Sequence, residues 1–465
     1  MSIPFEFINK IRQIPGPSMV MEDETLIADY GRDMTEDLFF MPGLVVLPSQ
    51  TAQVSAVAKL CYEYNVPLTV RGGGTGLSGG ALPVRGGVVM GMKRMNNILN
   101  LDKDNMQVRL QPGVITQELQ DYVSQFGFYY PPDPSSRGTC FIGGNLAENA
   151  GGPRAVKYGV TKDWVLDLEV VLSNGDIIKT GASVLKNSTG YNLTQLMIGS
   201  EGTLGIITEA TLKLVPMPKM RWALLVDFDS AASACAAVSE IFKVGVVPSA
   251  MEFMERDAIL YTLLYKPHLN YQVSEAMNAQ LLIEIEGPHE NALTEQLDIL
   301  YPVLASLGSG EIQVAMTADA QDSIWQLRRA IGEAVKSHSI YKEEDTVVPR
   351  FHLPALLEKV KALGSEYGFQ SVCYGHAGDG NLHINILKGE LTDYEWNDRL
   401  PFAIRTLFEE VKQLGGTLSG EHGIGWVQKP FMDIIFPPHH MNLMRGIKKL
   451  FDPKNILNPG KIFQD

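Results

Sequence analysis

The sequence predicts an α+β protein of two domains, one of them built around a phosphate loop. Three observations carry this. At 465 residues the chain exceeds what a single hydrophobic core organises. The run Arg71-Gly72-Gly73-Gly74-Thr75-Gly76-Leu77-Ser78-Gly79-Gly80 holds six glycines in ten residues, between apolar stretches at 66–70 and 87–90. Glycines between two strands let successive backbone N–H groups close on an anion. Beyond Pro216-Met217-Pro218, strand-like and helix-like periodicities alternate among hairpins, the pattern of an α+β domain.

Each element follows from local pattern. Residues 1–40 read as short helices and a loop, and residues 43–47 as an apolar strand. Pro48-Ser49 opens a helix with Val54, Val57, Ala58 and Cys61 on one face. A strand, the glycine loop and another strand follow. A helix over 116–126 stops at Gly127. Residues 166–172 and 176–180 flank Asn174-Gly175, which predicts a hairpin on a type I′ turn. Residues 208–215 alternate as a strand and end at the proline pair. Strands at 222–228 and 280–285 and helices at 231–242 and 321–334 begin the second domain. The expected division is 1–217, 218–417, and a segment 418–465 that returns to the first domain.

Composition excludes several partners. A net charge of −14 and a pI near 5.2 disfavour nucleic acid and anionic membranes. Cys61, Cys140, Cys235 and Cys373 are too far apart in sequence for a local iron–sulfur or zinc-ribbon motif and read as buried, reduced thiols. No apolar run spans a bilayer, and the start Met1-Ser2-Ile3-Pro4-Phe5-Glu6 lacks signal-peptide features, so a cytoplasmic location is expected.

Gly74-x-Gly76-x-x-Gly79 has the spacing of a dinucleotide fingerprint, but Pro83 and Gly86-Gly87 leave no room for the helix that fingerprint needs. No Gly-Lys-Ser/Thr closes the run either. Four further pieces accompany the loop: Pro131-Pro132-Asp133-Pro134-Ser135-Ser136, Ile142-Gly143-Gly144-Asn145 with Asn149-Ala150-Gly151-Gly152, Gly199-Ser200-Glu201-Gly202-Thr203-Leu204-Gly205-Ile206-Ile207, and the tail Asn455-Ile456-Leu457-Asn458-Pro459-Gly460-Lys461. Together they resemble the vanillyl-alcohol-oxidase type of FAD-binding domain. The resemblance implies a two-part FAD-binding domain plus an α+β substrate (cap) domain. It implies a cofactor cradle drawn from Arg71, Gly72, Gly73, Gly74, Thr75, Gly76, Ser78, Pro132, Asp133, Ser136, Gly143, Gly144, Asn145, Asn149, Gly151, Gly152, Glu201, Gly205, Ile206, Ile207 and Asn458. The first histidine in the chain is His268, so non-covalent FAD is expected.

A second run, His376-Ala377-Gly378-Asp379-Gly380-Asn381-Leu382-His383, lies between strand-like stretches. A two-residue turn at Asp379-Gly380 would set His376 directly opposite His383, with Asn381 and Asn385 on the same face. Gly420-Glu421-His422-Gly423-Ile424-Gly425 offers a carboxylate as third ligand. Two histidines and a glutamate suit Zn²⁺ first, and Fe²⁺ or Mn²⁺ as alternatives. These runs resemble the metal motifs of FAD-dependent D-2-hydroxyacid dehydrogenases. The resemblance implies His376, His383 and Glu421 as ligands, His422 as catalytic base, Asn385 as a substrate contact, and Arg328 on the substrate carboxylate, with Arg350 as a second candidate. It implies hydride transfer from the substrate Cα to flavin N5. Electrons would pass to an electron-transfer flavoprotein, an iron–sulfur subunit or a quinone, and a homodimer is compatible.

The glutarate branch of that family carries a lysine where Glu343 stands here, although Lys342 is adjacent. This favours a small monocarboxylate, D-lactate or glycolate, with D-2-hydroxyglutarate as the alternative. A non-redox alternative is the alkyl-glycerone-phosphate synthase branch, which favours adjacent histidines. Here His439-His440 read as part of a surface loop after Pro437-Pro438.

Overall fold

The computed structural model describes residues 3–16, 20–35, 38–269 and 271–464. Met1 and Ser2, the start of the expected first domain, lie outside the described residues. The chain divides into two compact units. One comprises Met1–Gly151, Val160–Met217 and Glu421–Asp465; the other comprises Gly152–Gly159 and Pro218–Gly420.

The first unit contains two main sheets. Strands β1 (Val20–Met21), β2 (Leu44–Val46), β3 (Leu68–Arg71) and β4 (Val88–Gly91) form a sheet in the order β1-β2-β4-β3. β4 runs parallel to both β2 and β3. The glycine loop is the connection from β3 to β4, with no helix in it. The helix Thr51–Tyr64 buries Val54, Val57, Ala58 and Cys61 against Leu44, Val46, Leu68, Val88 and Met90, as its periodicity requires. It ends where Asn65 turns left-handed, at φ 59°. The C-terminal tail completes this layer: Leu68 N–H donates to Ile456 O and Asn458 N–H donates to Leu68 O, both at 2.8 Å.

Strands β5 (Ile98–Asp102), β6 (Gln107–Leu110), β8 (Val165–Val171), β9 (Ile177–Lys179) and β10 (Ile206–Lys213) form an antiparallel sheet in the order β5-β6-β10-β8-β9. The short strands β7 (Phe128–Tyr129) and β11 (Val215–Pro216) pair separately. The β8–β9 hairpin forms as expected, but its turn is not type I′. Only Gly175 has positive φ, 90°, and type I′ needs two such residues. His439 and His440 do not lie in a loop: they open the helix Pro438–Phe451, on its exposed side. Proline tolerates the first helical turn, which is why the proline pair starts this helix instead of excluding it.

The second unit is a seven-stranded antiparallel sheet. Its strands are β12 (Met220–Phe228), β13 (Ala250–Glu255), β14 (Ala279–Gly287), β15 (Ser309–Ala315), β16 (Tyr341–Val347), β17 (Gln370–Gly375) and β18 (Asn381–Leu387), in the order β15-β12-β14-β13-β17-β18-β16. The helices Arg256–Tyr265 and Ala318–His338 cover one part, with Ile259, Trp325, Ile331 and Val335 packed on Leu225, Met254 and Leu282. The segment Gly152–Gly159 is tied to β14 by Arg154 on Glu284, at 3.2 Å, and Lys157 on Glu286, at 2.8 Å.

The histidine hairpin differs from the sequence expectation in register. His383 pairs with Tyr374, not His376. Ala377–Asp379 forms a 3₁₀ turn, and the His376 carbonyl accepts from Asn381 N–H at 3.1 Å. The loop is therefore longer than two residues and the register shifts by two. An even shift leaves every side chain on its expected face. Gly380 makes this turn possible: its φ is 83°, and a Cβ there would lie 1.9 Å from the Val348 carbonyl oxygen. Gly380→Ala is expected to destabilise the protein by at least about 2 kcal/mol, from left-handed strain plus that clash, read as a lower urea midpoint.

Candidate functional site

In the first unit the glycine loop is shaped by what lies behind it. Gly74 has φ 71°, and a Cβ there would lie 2.1 Å from Arg71 Nη2, so the guanidinium packs on bare backbone. A Cβ at Gly73 would lie 2.5 Å from the Thr139 carbonyl, while Gly72 faces Gly144. Gly76 has open space on its side. Thr35 Oγ1 accepts from Gly79 N–H at 2.6 Å. Arg71 Nη1 and the Ser78 hydroxyl are buried with no hydrogen-bond partner among the described residues. Unspent buried donors around an open glycine turn fit a phosphate-bearing cofactor.

Lys461, which the sequence reading left without a role, ties this loop from 380 residues away. Its ammonium donates to the Gly80 and Leu82 carbonyls, at 3.2 and 2.6 Å, and to Asn458 Oδ1 at 3.1 Å. Asn458 Nδ2 donates to the Gly80 and Glu201 carbonyls. Glu201, left-handed at φ 52°, accepts from Ile424 N–H at 2.8 Å and Gly425 N–H at 2.7 Å. Its carboxylate thus holds the stretch that carries His422. Trp426 N–H donates to Ser78 O at 2.8 Å, so the glycine loop braces the same stretch.

The other residues named for the cofactor cradle are placed as follows. Pro132 O accepts from Gln120 at 3.0 Å, Asp133 pairs with Arg137 at 2.7 Å, and Ser136 O caps the turn to Thr139 and Cys140. Gly143 lies against Pro112, within the helix Ile142–Glu148. Asn145 donates to Thr116 Oγ1 at 2.6 Å, and Asn149, left-handed at φ 56°, accepts from Lys162 N–H. A Cβ at Gly151 would lie 2.9 Å from Glu421 Oε2. Gly152 opens the segment that groups with the second unit. Gly205 packs on Val170, while Ile206 and Ile207 start β10. Thr75 follows Gly74 within the loop.

Two carboxylates converge on Gly423. A Cβ there would lie 2.1 Å from Glu148 Oε2 and 3.2 Å from Glu201 Oε1. Burial pushes both carboxyls up, and for Glu148 the neighbouring Glu201 adds to the rise. Burial also pulls Lys461 down to about 8. All four cysteines are free and buried.

In the second unit the period of two in β16, β17 and β18 gathers a polar face inside a buried sheet. Asn381, His383 and Asn385 come from β18; Glu343 stands opposite Asn385 and Asp345 opposite His383. Every residue of β18 is buried. His376 and His383 have ring centroids 5.3 Å apart, edge to face. His376 Nδ1 lies 2.8 and 3.0 Å from the two Glu252 oxygens, so Nε2 is the atom that could hold a metal. His383 Nδ1 lies 3.5 Å from Glu343 and 3.6 Å from Asp345. Asp345 also accepts from Asn381 Nδ2, Ser419 Oγ and Gly420 N–H, at 2.7, 2.8 and 2.9 Å.

Asn385 Oδ1 is buried with no hydrogen-bond partner among the described residues. Arg328 is 3% exposed, with Nη2 2.5 Å from Glu252 Oε2, its guanidinium over Tyr374, and Nε without a partner among the described residues. Arg350 stacks on Phe242 at 3.9 Å, and Lys342 reaches Trp396. Two adjacent imidazoles, one of them held on Nδ1 by a carboxylate, fit a divalent cation. Sequence reasoning missed Glu252 and Tyr374: Glu252 is 124 positions from His376 and sits in a strand buried on both faces.

The fold and these two clusters define a flavin-linked oxidoreductase. Residues 42–181 match the family described as an FAD binding domain, and residues 217–462 match the C-terminal domain of FAD linked oxidases. Among curated relatives, the glycolate oxidase subunit GlcD of Bacillus subtilis (strain 168) is 36% identical, over 97% of this chain and 95% of its own. The D-lactate dehydrogenase of Anaerostipes hadrus is 37% identical, over 98% and 97%. Among solved structures, p-cresol methylhydroxylase superposes with a TM-score of 0.81 over 99% of this chain and 96% of its own; at 19% identity the likeness is one of fold. The chain belongs to the FAD-dependent D-2-hydroxyacid dehydrogenase family of FAD-linked oxidases. Among the described residues no helix is long and apolar enough to cross a membrane.

The raised Glu148 gives a pH signature. The folded state keeps that proton at pH values where the unfolded chain, titrating near 4.5, has lost it. Folded protein then binds more protons than unfolded, so this group's contribution to stability falls as pH rises above about 4.5 toward the folded value. Glu148→Gln has no proton to lose. Its melting temperature is expected to exceed the parent's by a margin that grows from pH 5 to pH 8, with a slope of at most about 1.4 kcal/mol per pH unit.

Proposed function

We propose that the protein oxidises a small D-2-hydroxyacid, D-lactate or glycolate, to the 2-oxoacid, using non-covalent FAD and a divalent cation, Zn²⁺ before Fe²⁺ or Mn²⁺. The observation that carries the reading is the paired His376 and His383 imidazoles, 5.3 Å apart on a buried polar face beside Asn385 and Arg328. Glu421 is the third ligand in this reading. It follows Gly420, whose N–H is held by Asp345, and one residue spans about 3.8 Å along the chain.

When bound, the cation supplies Lewis acidity to the substrate hydroxyl and the flavin accepts the hydride. The chain's own residues do the rest. Arg328 offers a buried, unspent Nε to the substrate carboxylate, and Asn385, its Oδ1 buried without a partner among the described residues, is a further substrate contact. His422 takes the hydroxyl proton, its loop steadied by Glu201 and Ser78. Electrons leave to a partner: an electron-transfer flavoprotein, an iron–sulfur subunit or a quinone.

Glu343 supports the monocarboxylate. Its side chain sets a negative charge 3.5 Å from His383, where a second substrate carboxylate would be repelled.

Rapid mixing of the yellow protein with D-lactate or glycolate is expected to bleach the flavin band, and a strong chelator is expected to abolish the bleaching. Bleaching that survives complete removal of metal would rule out the cation's role. His422→Ala is expected to retain FAD and lower kcat by about 10²- to 10⁴-fold. Glu343→Gln is expected to raise the kcat/KM ratio of D-2-hydroxyglutarate to D-lactate about tenfold, in steady-state assays of both acids.

A further inference from the structure

We propose that Glu252 is a positioning residue that serves two groups at once, setting the ring of His376 for the cation and holding the guanidinium of Arg328 for the substrate carboxylate. The inference rests on the proposed function and extends it to a residue that touches neither substrate nor metal.

Four observations carry it. Glu252 is fully buried, on β13, which runs beside β17. Both of its oxygens face one atom, His376 Nδ1, at 2.8 and 3.0 Å. One of them, Oε2, also meets Arg328 Nη2 at 2.5 Å. The Nε of the same guanidinium remains buried without a partner among the described residues. A carboxylate on Nδ1 keeps the proton there and points the Nε2 lone pair the other way, the tautomer a cation needs. Glu252 holds the guanidinium by Nη2, and the unpartnered Nε is left to donate to a second carboxylate. One side chain therefore fixes both the ligand and the anion clamp, and displacement of either disturbs the other.

The rival is an ion pair that only stabilises the fold. Such a pair is replaceable by apolar side chains of similar volume with no effect on the site. The test is zinc affinity, measured on the full-length FAD-loaded protein by competition with a chromophoric chelator. The parent is expected to bind one zinc ion, and His376→Ala to lose it. Glu252→Gln keeps the shape and removes the charge; it is expected to raise the zinc Kd about 10- to 100-fold and to raise KM more than it lowers kcat. Glu252→Gln leaves Arg328 without a counter-charge and risks the fold. The pair Glu252→Leu with Arg328→Met removes both charges, and it is expected to melt near the parent temperature while zinc binding stays weakened.

If the folded double variant binds zinc as tightly as the parent, Glu252 is structural and the inference is wrong, while the proposed function stands. If the parent itself binds no zinc, iron(II) or manganese at His376, the proposed function falls first and this inference with it.

Discussion

A sheet face that carries charge inside a protein survives only if every charge is answered. β18 is buried over its whole length, yet it presents Asn381, His383 and Asn385 in alternate positions. The neighbouring strand β16 answers with Glu343 and Asp345, and β13 answers His376 with Glu252. Burying an isolated carboxylate is prohibitive, so these side chains are locked to one another by the cost of any other arrangement. The locked orientation is what a metal or substrate would meet. Preorganisation here is a consequence of charge burial, not an addition to it.

The glycine loop obeys a related rule on the backbone. Lys461 and Asn458 draw the carbonyls of Gly80, Leu82 and Glu201 toward the C-terminal tail. With these carbonyls engaged by the tail, the loop is held in one shape with open space at Gly76, which suits an anion. The tail thus supplies what a loop without lysine lacks, a nearby cation, and it arrives by pairing with the edge strand β3. Glu201 couples this layer to residues 424 and 425, so the stretch bearing His422 is positioned from inside the flavin-binding unit.

Much of this was legible in the sequence for physical reasons. Glycine-rich turns and alternating strands are local, and local pattern reads directly. The histidine hairpin was legible in its faces but not in its register, because Asp379-Gly380 reads as a two-residue turn while the chain builds a 3₁₀ turn at Ala377–Asp379. The even shift rescued the face assignment. Glu252 was illegible: in Met251-Glu252-Phe253-Met254 both faces are buried, so no alternation marks the glutamate, and its partners lie 76 and 124 residues away. Glu148 was missed too: it ends the short helix Ile142–Glu148, and no motif in the sequence singled it out. Long-range pairing of buried charges leaves no period to detect.

The two units bury glutamates to opposite ends. Burial raises Glu148, and its close neighbour Glu201 adds to the rise. Burial raises Glu252 too, but Arg328 and His376 outweigh it and hold the carboxyl below its ordinary value. Glu148 Oε1 lies against Gly80 of the glycine loop, and the rise works against a negative charge there. Glu252 adds negative charge behind His376, which raises the basicity of its imidazole. The same side chain is thus shifted in opposite directions in the two units, up beside Glu201 and down beside Arg328 and His376, and the charges around it decide which.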